Sequence, residues 1–187
     1  MHSPLLTVAN QLTILRMALA PLLVVLIVSR EITWALVVFA VAGVTDVLDG
    51  FIARHGHQQT TLGAMLDPLA DKILLTSSYV ALTWTSSLLV RIPVWLTVTT
   101  LSRDAIILVT VAVINLTVGR RIFLPSVLGK LSTASQLLTA GVVILLNAIS
   151  EGPGPVRYLF WATAALTVAS ALHYVYLASV SRPEAEP

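Results

Sequence analysis

Residues 45–72 read TDVLDGFIARHGHQQTTLGAMLDPLADK, and this short stretch holds four of the five aspartates of a 187-residue chain. The four are Asp46, Asp49, Asp67 and Asp71, and apolar sequence flanks them on both sides. Ionisable side chains inside apolar segments are costly and mark functional sites by default. We therefore expect the chemistry of the protein to lie in this stretch.

The composition of the chain is typical of a membrane protein. Hydrophobic residues make up 57% of it and charged residues only 11%, whereas a soluble domain carries roughly 25% charged residues. The net charge of +2 is too small to indicate nucleic-acid binding. The basic residues suit anionic lipid headgroups instead. The chain has no cysteine, which excludes disulfides.

Apolar stretches long enough for membrane helices recur six times along the chain. A helix needs about 20 apolar residues to cross a bilayer. The predicted spans are residues 8–29, 33–54, 62–89, 93–118, 126–149 and 156–180. Their connections are too short to separate domains. The sequence thus predicts one all-α domain over residues 1–181, an integral membrane bundle of six transmembrane helices, and a disordered polar tail at 182–187.

The basic residues near the span ends predict how the helices are oriented. With the N-terminus inside, Arg54, Lys72, Arg120, Arg121, Lys130 and Arg182 lie on the cytoplasmic side, and Arg30, Arg91 and Arg157 lie on the other. Both termini are then cytoplasmic, and the aspartates lie just below the cytoplasmic surface. The absence of a basic, transit-like leader favours a bacterial plasma membrane over an organelle.

The four aspartates are predicted to face one another across two antiparallel helices. At 100° per residue, Asp46 and Asp49 share one face of the second helix with small residues, and Asp67 and Asp71, four apart, share a face of the third. With a rise of about 1.5 Å per residue, Asp46 and Asp71 lie roughly 12 and 13 Å inward from the cytoplasmic helix ends. Asp49 and Asp67 each lie roughly 7 Å inward. The two pairs are therefore expected to be level.

Such a cluster of carboxylates indicates a site for a hard divalent cation. Four ionised carboxylates repel one another and are costly to bury alone, and their oxygens suit Mg²⁺, Mn²⁺ or Ca²⁺. The alternative is that the aspartates cap helices or pair with Arg54 and Lys72. Arg16 and Arg103 also lie deep in their spans and are functional candidates for the same reason.

The spacing of the acidic stretch resembles the signature of a known family. Asp46-x2-Asp49-Gly50-x2-Ala53-Arg54-x8-Gly63-x3-Asp67-x3-Asp71 is similar, residue for residue, to that of the CDP-alcohol phosphatidyltransferases. The segments NQLTILR (10–16), SRD (102–104) and GKLSTASQ (129–136) also resemble segments that flank this signature in the family. The resemblance therefore covers most of the chain.

The resemblance implies a six-helix membrane enzyme, commonly a homodimer, that transfers a phosphatidyl group from CDP-diacylglycerol to an alcohol and releases CMP. By position, it implies that all four aspartates hold a pair of Mg²⁺ or Mn²⁺ ions and that Asp71 is also the general base. The residues implied to contact CDP are Asp46, Asp49, Gly50, Ala53, Arg54 and Gly63.

The acceptor alcohol depends on a comparison within the glycerol-lipid branch of this family. Phosphatidylglycerophosphate synthases usually have Arg-Glu in the fourth helix and a second Arg eight residues later, which suits the phosphate of glycerol 3-phosphate. Here the pair is Arg103-Asp104, and Val111 occupies the later position. The absence of this second Arg slightly favours phosphatidylglycerol as the acceptor, as in the cardiolipin synthases. Glycerol 3-phosphate stays the alternative, with Arg103, Lys130, Arg120 and Arg121 as candidate contacts for the acceptor or its phosphate.

Three other functional classes compete with this interpretation. A membrane prenyltransferase places two aspartate-rich motifs far apart in a longer chain. A divalent-cation transporter needs carboxylates along its whole path, and the outer half of these spans has almost none. A silent scaffold has no need of the intact signature.

Overall fold

The computed structural model describes residues 8–55, 61–117 and 126–180, and regular structure in these ranges is helical. The six helices are α1 (Val8–Val28), α2 (Ile32–His55), α3 (Thr61–Trp84), α4 (Val94–Thr117), α5 (Val127–Ala148) and α6 (Val156–Val180). Each predicted span therefore corresponds to one helix. The predicted tail at 182–187 lies outside the described residues.

The other predicted boundaries lie within one residue of the helix ends, but the prediction for the end of α3 is wrong: the helix ends at Trp84 and not at residue 89. Serine and threonine hydroxyls compete for backbone hydrogen bonds, and α3 is followed by Thr85-Ser86-Ser87. Leu88 and Val90 are nevertheless buried, so these apolar residues reach the core as a loop. Apolar sequence alone does not distinguish the two cases.

Within the described ranges, two helices are long and apolar enough to cross a membrane, Val127–Ala148 and Val156–Tyr176. Shorter apolar helical segments are Thr13–Val28 and Ile32–Asp46. Large apolar side chains are also exposed on all six helices, Leu108 on α4 and Leu172 on α6 among them. A surface of this kind requires apolar surroundings or a partner.

Helices α1, α2 and α3 belong to a first compact unit, which also includes residues 140–154 at the end of α5 and beyond. Helix α1 packs against both α2 and α3. Small buried residues such as Ala20, Ala35 and Ala42 allow the close approach of helix backbones. At Gly141 an added Cβ would lie 3.3 Å from the Phe39 ring, so α5 touches α2 there.

Asn147 of α5 holds the loop after α3 in place within this first unit. Its Nδ2 donates to the carbonyl oxygen of Val90 at 2.8 Å, and its Oδ1 accepts from the Val90 backbone N–H at 3.2 Å. One buried amide thus satisfies both backbone groups of an apolar loop residue, which lets the loop be buried without a helix.

The second compact unit includes α4, the first part of α5 up to residue 139, and α6, with α4 packed against α6. A row of buried hydroxyls joins the first part of α5 to α6. Thr139 and Thr163 share a hydrogen bond of 2.8 Å, and Ser132 and Thr167 share one of 3.2 Å. Between apolar helices such bonds add specificity to the packing.

Helix α1 ends in a Schellman motif whose left-handed position is occupied by Arg30. The Glu31 N–H donates to the carbonyl of Leu26 at 2.9 Å, and the Arg30 N–H donates to that of Ile27 at 3.2 Å. Arg30 has a φ of 65°. Glycine is the usual residue at this position because a Cβ is strained there.

Candidate active site

Arg16, on α1, joins the acidic residues of α2 and α3. Its Nη1 lies 2.9 Å from Asp46 Oδ1 and donates a hydrogen bond to Asp71 Oδ1 at 2.6 Å. The two carboxylate oxygens are therefore no farther apart than the sum of those distances. These are the two aspartates that the rise per residue places level with each other.

The three side chains differ sharply in exposure. The side chain of Arg16 is only 1% exposed, whereas those of Asp46 and Asp71 are 42% and 45% exposed. The guanidinium thus forms part of the wall, and the carboxylates line the open side of the site. A buried cation placed behind two carboxylates offsets their repulsion and fixes their orientation while leaving oxygen atoms accessible to a ligand.

The remaining residues of the acidic signature are placed only by their backbone. Asp49, Gly50, Ala53 and Arg54 lie on the last turns of α2, and Gly63 and Asp67 on the first turns of α3. Their side chains lie outside the described part of the structure, as do Arg120 and Arg121 altogether. Among the side chains that are described, no three His, Cys, Asp or Glu residues form a group that could hold a metal ion.

The sequence indicated that Arg16 is important but not which residues it contacts. Its depth in an apolar span was the signal, and the acids were expected to be balanced by metal. The structure adds a protein cation to that balance. The contact joins residues 55 positions apart, and only the packing of α1 against α3 creates it.

Arg103, in the second unit, is held by its own set of partners. Its Nη1 donates to Asp104 Oδ1 at 2.8 Å, and its Nη2 donates to Ser170 Oγ at 2.8 Å. Gly129 of α5 lies beside the guanidinium, since an added Cβ would be 3.4 Å from Nη2, an ordinary van der Waals distance. The Arg103 side chain is 8% exposed and that of Asp104 15%, so the two form a largely buried ion pair. The part played by Ser170 was not predicted.

Lys130 lies in the first turn of α5 and is exposed. Ser126 precedes this helix as its N-cap, and its Oγ accepts the N–H of Gly129 at 3.0 Å. A cation in a capped first turn is open to an anionic group in the solvent or at a lipid surface.

Residues 6–172 match the sequence profile of a family described as CDP-alcohol phosphatidyltransferase. The chain belongs to this family. The match covers the acidic signature and the first part of α6, so it confirms the resemblance seen in the sequence.

Three relatives show how far the similarity of this family member extends. It is 34% identical to human cardiolipin synthase (CMP-forming) over 186 residues, which cover 91% of this chain and 60% of the human protein. It is 37% identical to the Streptomyces coelicolor protein of the same name over 158 residues, 80% of this chain and 68% of that protein. It is 35% identical to a probable phosphatidylglycerophosphate synthase of Mycobacterium tuberculosis over 178 residues, 89% of this chain and 79% of that protein.

The chain thus spans about 60% of the length of the human relative. The names of these relatives include both enzyme types that the sequence left open. Similarity alone therefore supports the family more strongly than it supports either type.

Proposed function

We propose that this protein is a membrane enzyme that transfers a phosphatidyl group from CDP-diacylglycerol to a hydroxyl of phosphatidylglycerol, forming cardiolipin and releasing CMP. The observation that carries the proposal is the convergence of Asp46 and Asp71 on Arg16, within the signature of the family. Two accessible carboxylates beside a buried cation suit charge neutralisation and proton transfer at a phosphoryl group.

The residues present fit a divalent metal. Asp46 and Asp71 supply neighbouring carboxylate oxygens that are open to a ligand, and carboxylates are the donors that Mg²⁺ and Mn²⁺ prefer. With Asp49 and Asp67 they would hold one or two such ions. When bound, the metal would offset the negative charge of the donor pyrophosphate.

Asp71 is proposed to take the proton of the acceptor hydroxyl. The hydroxyl oxygen forms a bond to the phosphorus of the phosphatidyl group, the bond from that phosphorus to the CMP oxygen breaks, and CMP leaves with the electron pair. Arg16 orients the Asp71 carboxylate through the 2.6 Å hydrogen bond to Oδ1. Gly50, Ala53 and Gly63 would leave room for the CDP moiety, and Arg54 would contact its phosphates.

Two observations support phosphatidylglycerol as the acceptor. Relatives named cardiolipin synthase match over most of the chain. In addition, the charge of Arg103 is already compensated by Asp104 in a buried pair, which leaves it less suited to the dianionic phosphate of a soluble acceptor.

Glycerol 3-phosphate is the second candidate acceptor. It is supported by the relative named phosphatidylglycerophosphate synthase. The exposed Lys130 in the first turn of α5 could contact its phosphate, and Arg120 and Arg121 are further candidates.

The proposed setting is a bacterial plasma membrane, with all six helices as spans, both termini in the cytoplasm and the active site at the cytoplasmic face. The apolar surface and the two helices that are long and apolar enough to cross a membrane support a membrane location. A homodimer is proposed from the family resemblance.

A lipid-product assay tests this function. Purified protein in detergent receives CDP-diacylglycerol, Mg²⁺ or Mn²⁺, and either phosphatidylglycerol or glycerol 3-phosphate, with Asp71→Asn as the inactive control. We expect cardiolipin to form when phosphatidylglycerol is the acceptor, and no product to form with glycerol 3-phosphate. Product from glycerol 3-phosphate alone would replace the proposed acceptor by the second candidate. No CMP release with either would contradict the enzyme itself.

A further inference from the structure

A cavity of about 870 Å³ lies between α1 and α3 in the first unit, and neither Asp46 nor Asp71 is among the residues that line it. We call it the α1–α3 groove and define it by Val24 and Val28 of α1, Val80 and Trp84 of α3, and Arg30 beyond the end of α1. Its volume is in the upper part of the range of small-molecule sites, about 300–1,000 Å³.

The walls of the groove are mainly apolar over a length that suits an acyl chain. On α3 the lining runs from Lys72 to Trp84, a distance of roughly 18 Å along the helix axis. One leaflet contributes about 15 Å to the hydrocarbon thickness of a bilayer. Val28, Val80 and Trp84 are exposed, so the groove is open to the surroundings of the protein.

The groove has Lys72 at the end next to Asp71, and its opposite end is polar and cationic as well. Arg30 and the hydroxyls of Thr85, Ser86 and Ser87 line it there. No acidic side chain is among the lining residues, all of which lie in the described part of the chain. An arginine with several hydroxyl donors at the mouth of an apolar groove is complementary to a phosphodiester attached to a hydrocarbon chain.

The backbone conformation at Arg30 makes glycine the substitution of choice for testing its side chain. Arg30 takes the left-handed position of the Schellman motif after α1, as Ser150 does after α5. A residue with a Cβ is less stable than glycine at this position, so a change to glycine removes the guanidinium without straining the backbone.

The Arg30 end of the groove is distant from the candidate active site. Arg16 contacts Asp71, whereas Val28 and Trp84, twelve and thirteen residues further along the same two helices, line the groove near its polar end. The two helices therefore run in the same direction, and the polar end lies roughly 18–20 Å from the aspartates along their axes. With the active site at one membrane face, Arg30 is at the level of the opposite leaflet.

We infer that the α1–α3 groove binds one acyl chain of an anionic glycerophospholipid, whose phosphate is held by Arg30 and the hydroxyls of residues 85–87. The lipid comes from the leaflet opposite the active site, so it is a bound structural lipid and not the donor or the acceptor. This inference rests on the membrane location given under the proposed function, but not on the proposed reaction.

Lipid-dependent thermal stability of the full chain in an uncharged detergent tests the inference. Phosphatidylserine and phosphatidylcholine with identical acyl chains are added separately, in the presence of a chelator. Phosphatidylserine carries the required phosphate and net charge, but it is not the proposed acceptor. We expect phosphatidylserine at saturation to raise the Tm by about 5 °C or more, and phosphatidylcholine to raise it by less than half of that.

Two variants and a matched control locate the effect. Arg30→Gly should keep or raise the lipid-free Tm, because glycine suits the left-handed position, and should abolish the preference for phosphatidylserine. Val24→Trp fills the groove and should abolish the shift with both lipids. Val25→Trp, on the neighbouring residue of α1, which is exposed and does not line the groove, should keep both shifts.

Several results would overturn the inference. If Arg30→Gly keeps the full preference for phosphatidylserine, Arg30 does not hold the phosphate. If Val24→Trp and Val25→Trp show the same lipid-dependent shifts in Tm, the lipid does not bind in the groove. A Tm that depends on protein concentration and not on lipid, with Val24→Trp shifting the chain to monomers in light scattering, assigns the groove to a second copy of the chain. CMP release, measured on the same samples, tests the proposed function separately.

Discussion

Replacement of the buried Arg16 by methionine should destabilise the protein because it leaves two carboxylates without their shared cation. Methionine is long, flexible and uncharged, so it fills much of the same space. In the native structure Arg16 Nη1 lies 2.6 Å from Asp71 Oδ1 and 2.9 Å from Asp46 Oδ1. The packing of α1 is retained in this variant, and the charge is removed.

The expected loss follows from the exposure of the three side chains. A hydrogen bond to a charged group contributes about 1.5–3 kcal/mol, but the carboxylates are 42% and 45% exposed, and solvent screens exposed pairs. We therefore expect a combined loss of about 2–3 kcal/mol for the two contacts. For a chain of this length this corresponds to a Tm lower by roughly 4–12 °C.

The assay is a double-mutant cycle on thermal stability, measured in detergent with a chelator present. Asp46→Asn removes one of the two repelling charges, so Arg16→Met should cost at least about 1 kcal/mol less in that background. Arg16→Lys, which keeps the charge, should lose less stability than Arg16→Met. If the two single losses simply add, within about 0.5 kcal/mol, the charge contacts do not stabilise the site and the proposed role of Arg16 is wrong.

Four further predictions concern the chemistry and the packing. Asp71→Asn should keep CDP-diacylglycerol binding and lower kcat by at least about 10²-fold, because it removes the proposed base; unchanged CMP release would remove that role. Chelation should abolish turnover in the wild type, and Mg²⁺ or Mn²⁺ should restore it; full activity in excess chelator would contradict the metal site. Asn147→Ala should lower stability by about 1–3 kcal/mol, because it leaves the buried N–H and carbonyl of Val90 unpaired; an unchanged Tm would show that water replaces the amide. Asp104→Asn should lower the Tm by leaving Arg103 buried without its carboxylate, and the ratio of acceptors used should not change; a gain in glycerol 3-phosphate use would show that Arg103 reaches the acceptor.

The six helices were predictable because each depends on a local property, namely about 20 mostly apolar residues bounded by polar or proline-containing turns. The end of α3 was not predictable in the same way. Leu88 and Val90 continue the apolar sequence, but they are buried as a loop because Asn147, 57 residues from Val90, bonds its backbone. A contact at that separation leaves no trace in a local window of sequence.

The candidate site likewise has a part that was predictable from local sequence and a part that depends on helix packing. The rise of a helix was enough to predict that Asp46 and Asp71 lie level, since their positions are counted from the same short connection. The contact with Arg16 depends instead on how α1 is rotated and shifted against α2 and α3. Apolar helix faces leave that register undefined, because many alignments bury similar areas.

Arg103 shows why adjacency in sequence did not settle the role of a charged residue. Neighbouring residues on a helix point in directions about 100° apart, so Arg103-Asp104 is compatible both with an ion pair and with two separate functions. In the structure the Arg103 guanidinium donates to Asp104 through one nitrogen and to Ser170 of α6 through the other. Both deep arginines are thus defined by partners on other helices. A charged residue in an apolar span can therefore be recognised as important from its own sequence position, whereas its role follows only from the helices packed around it.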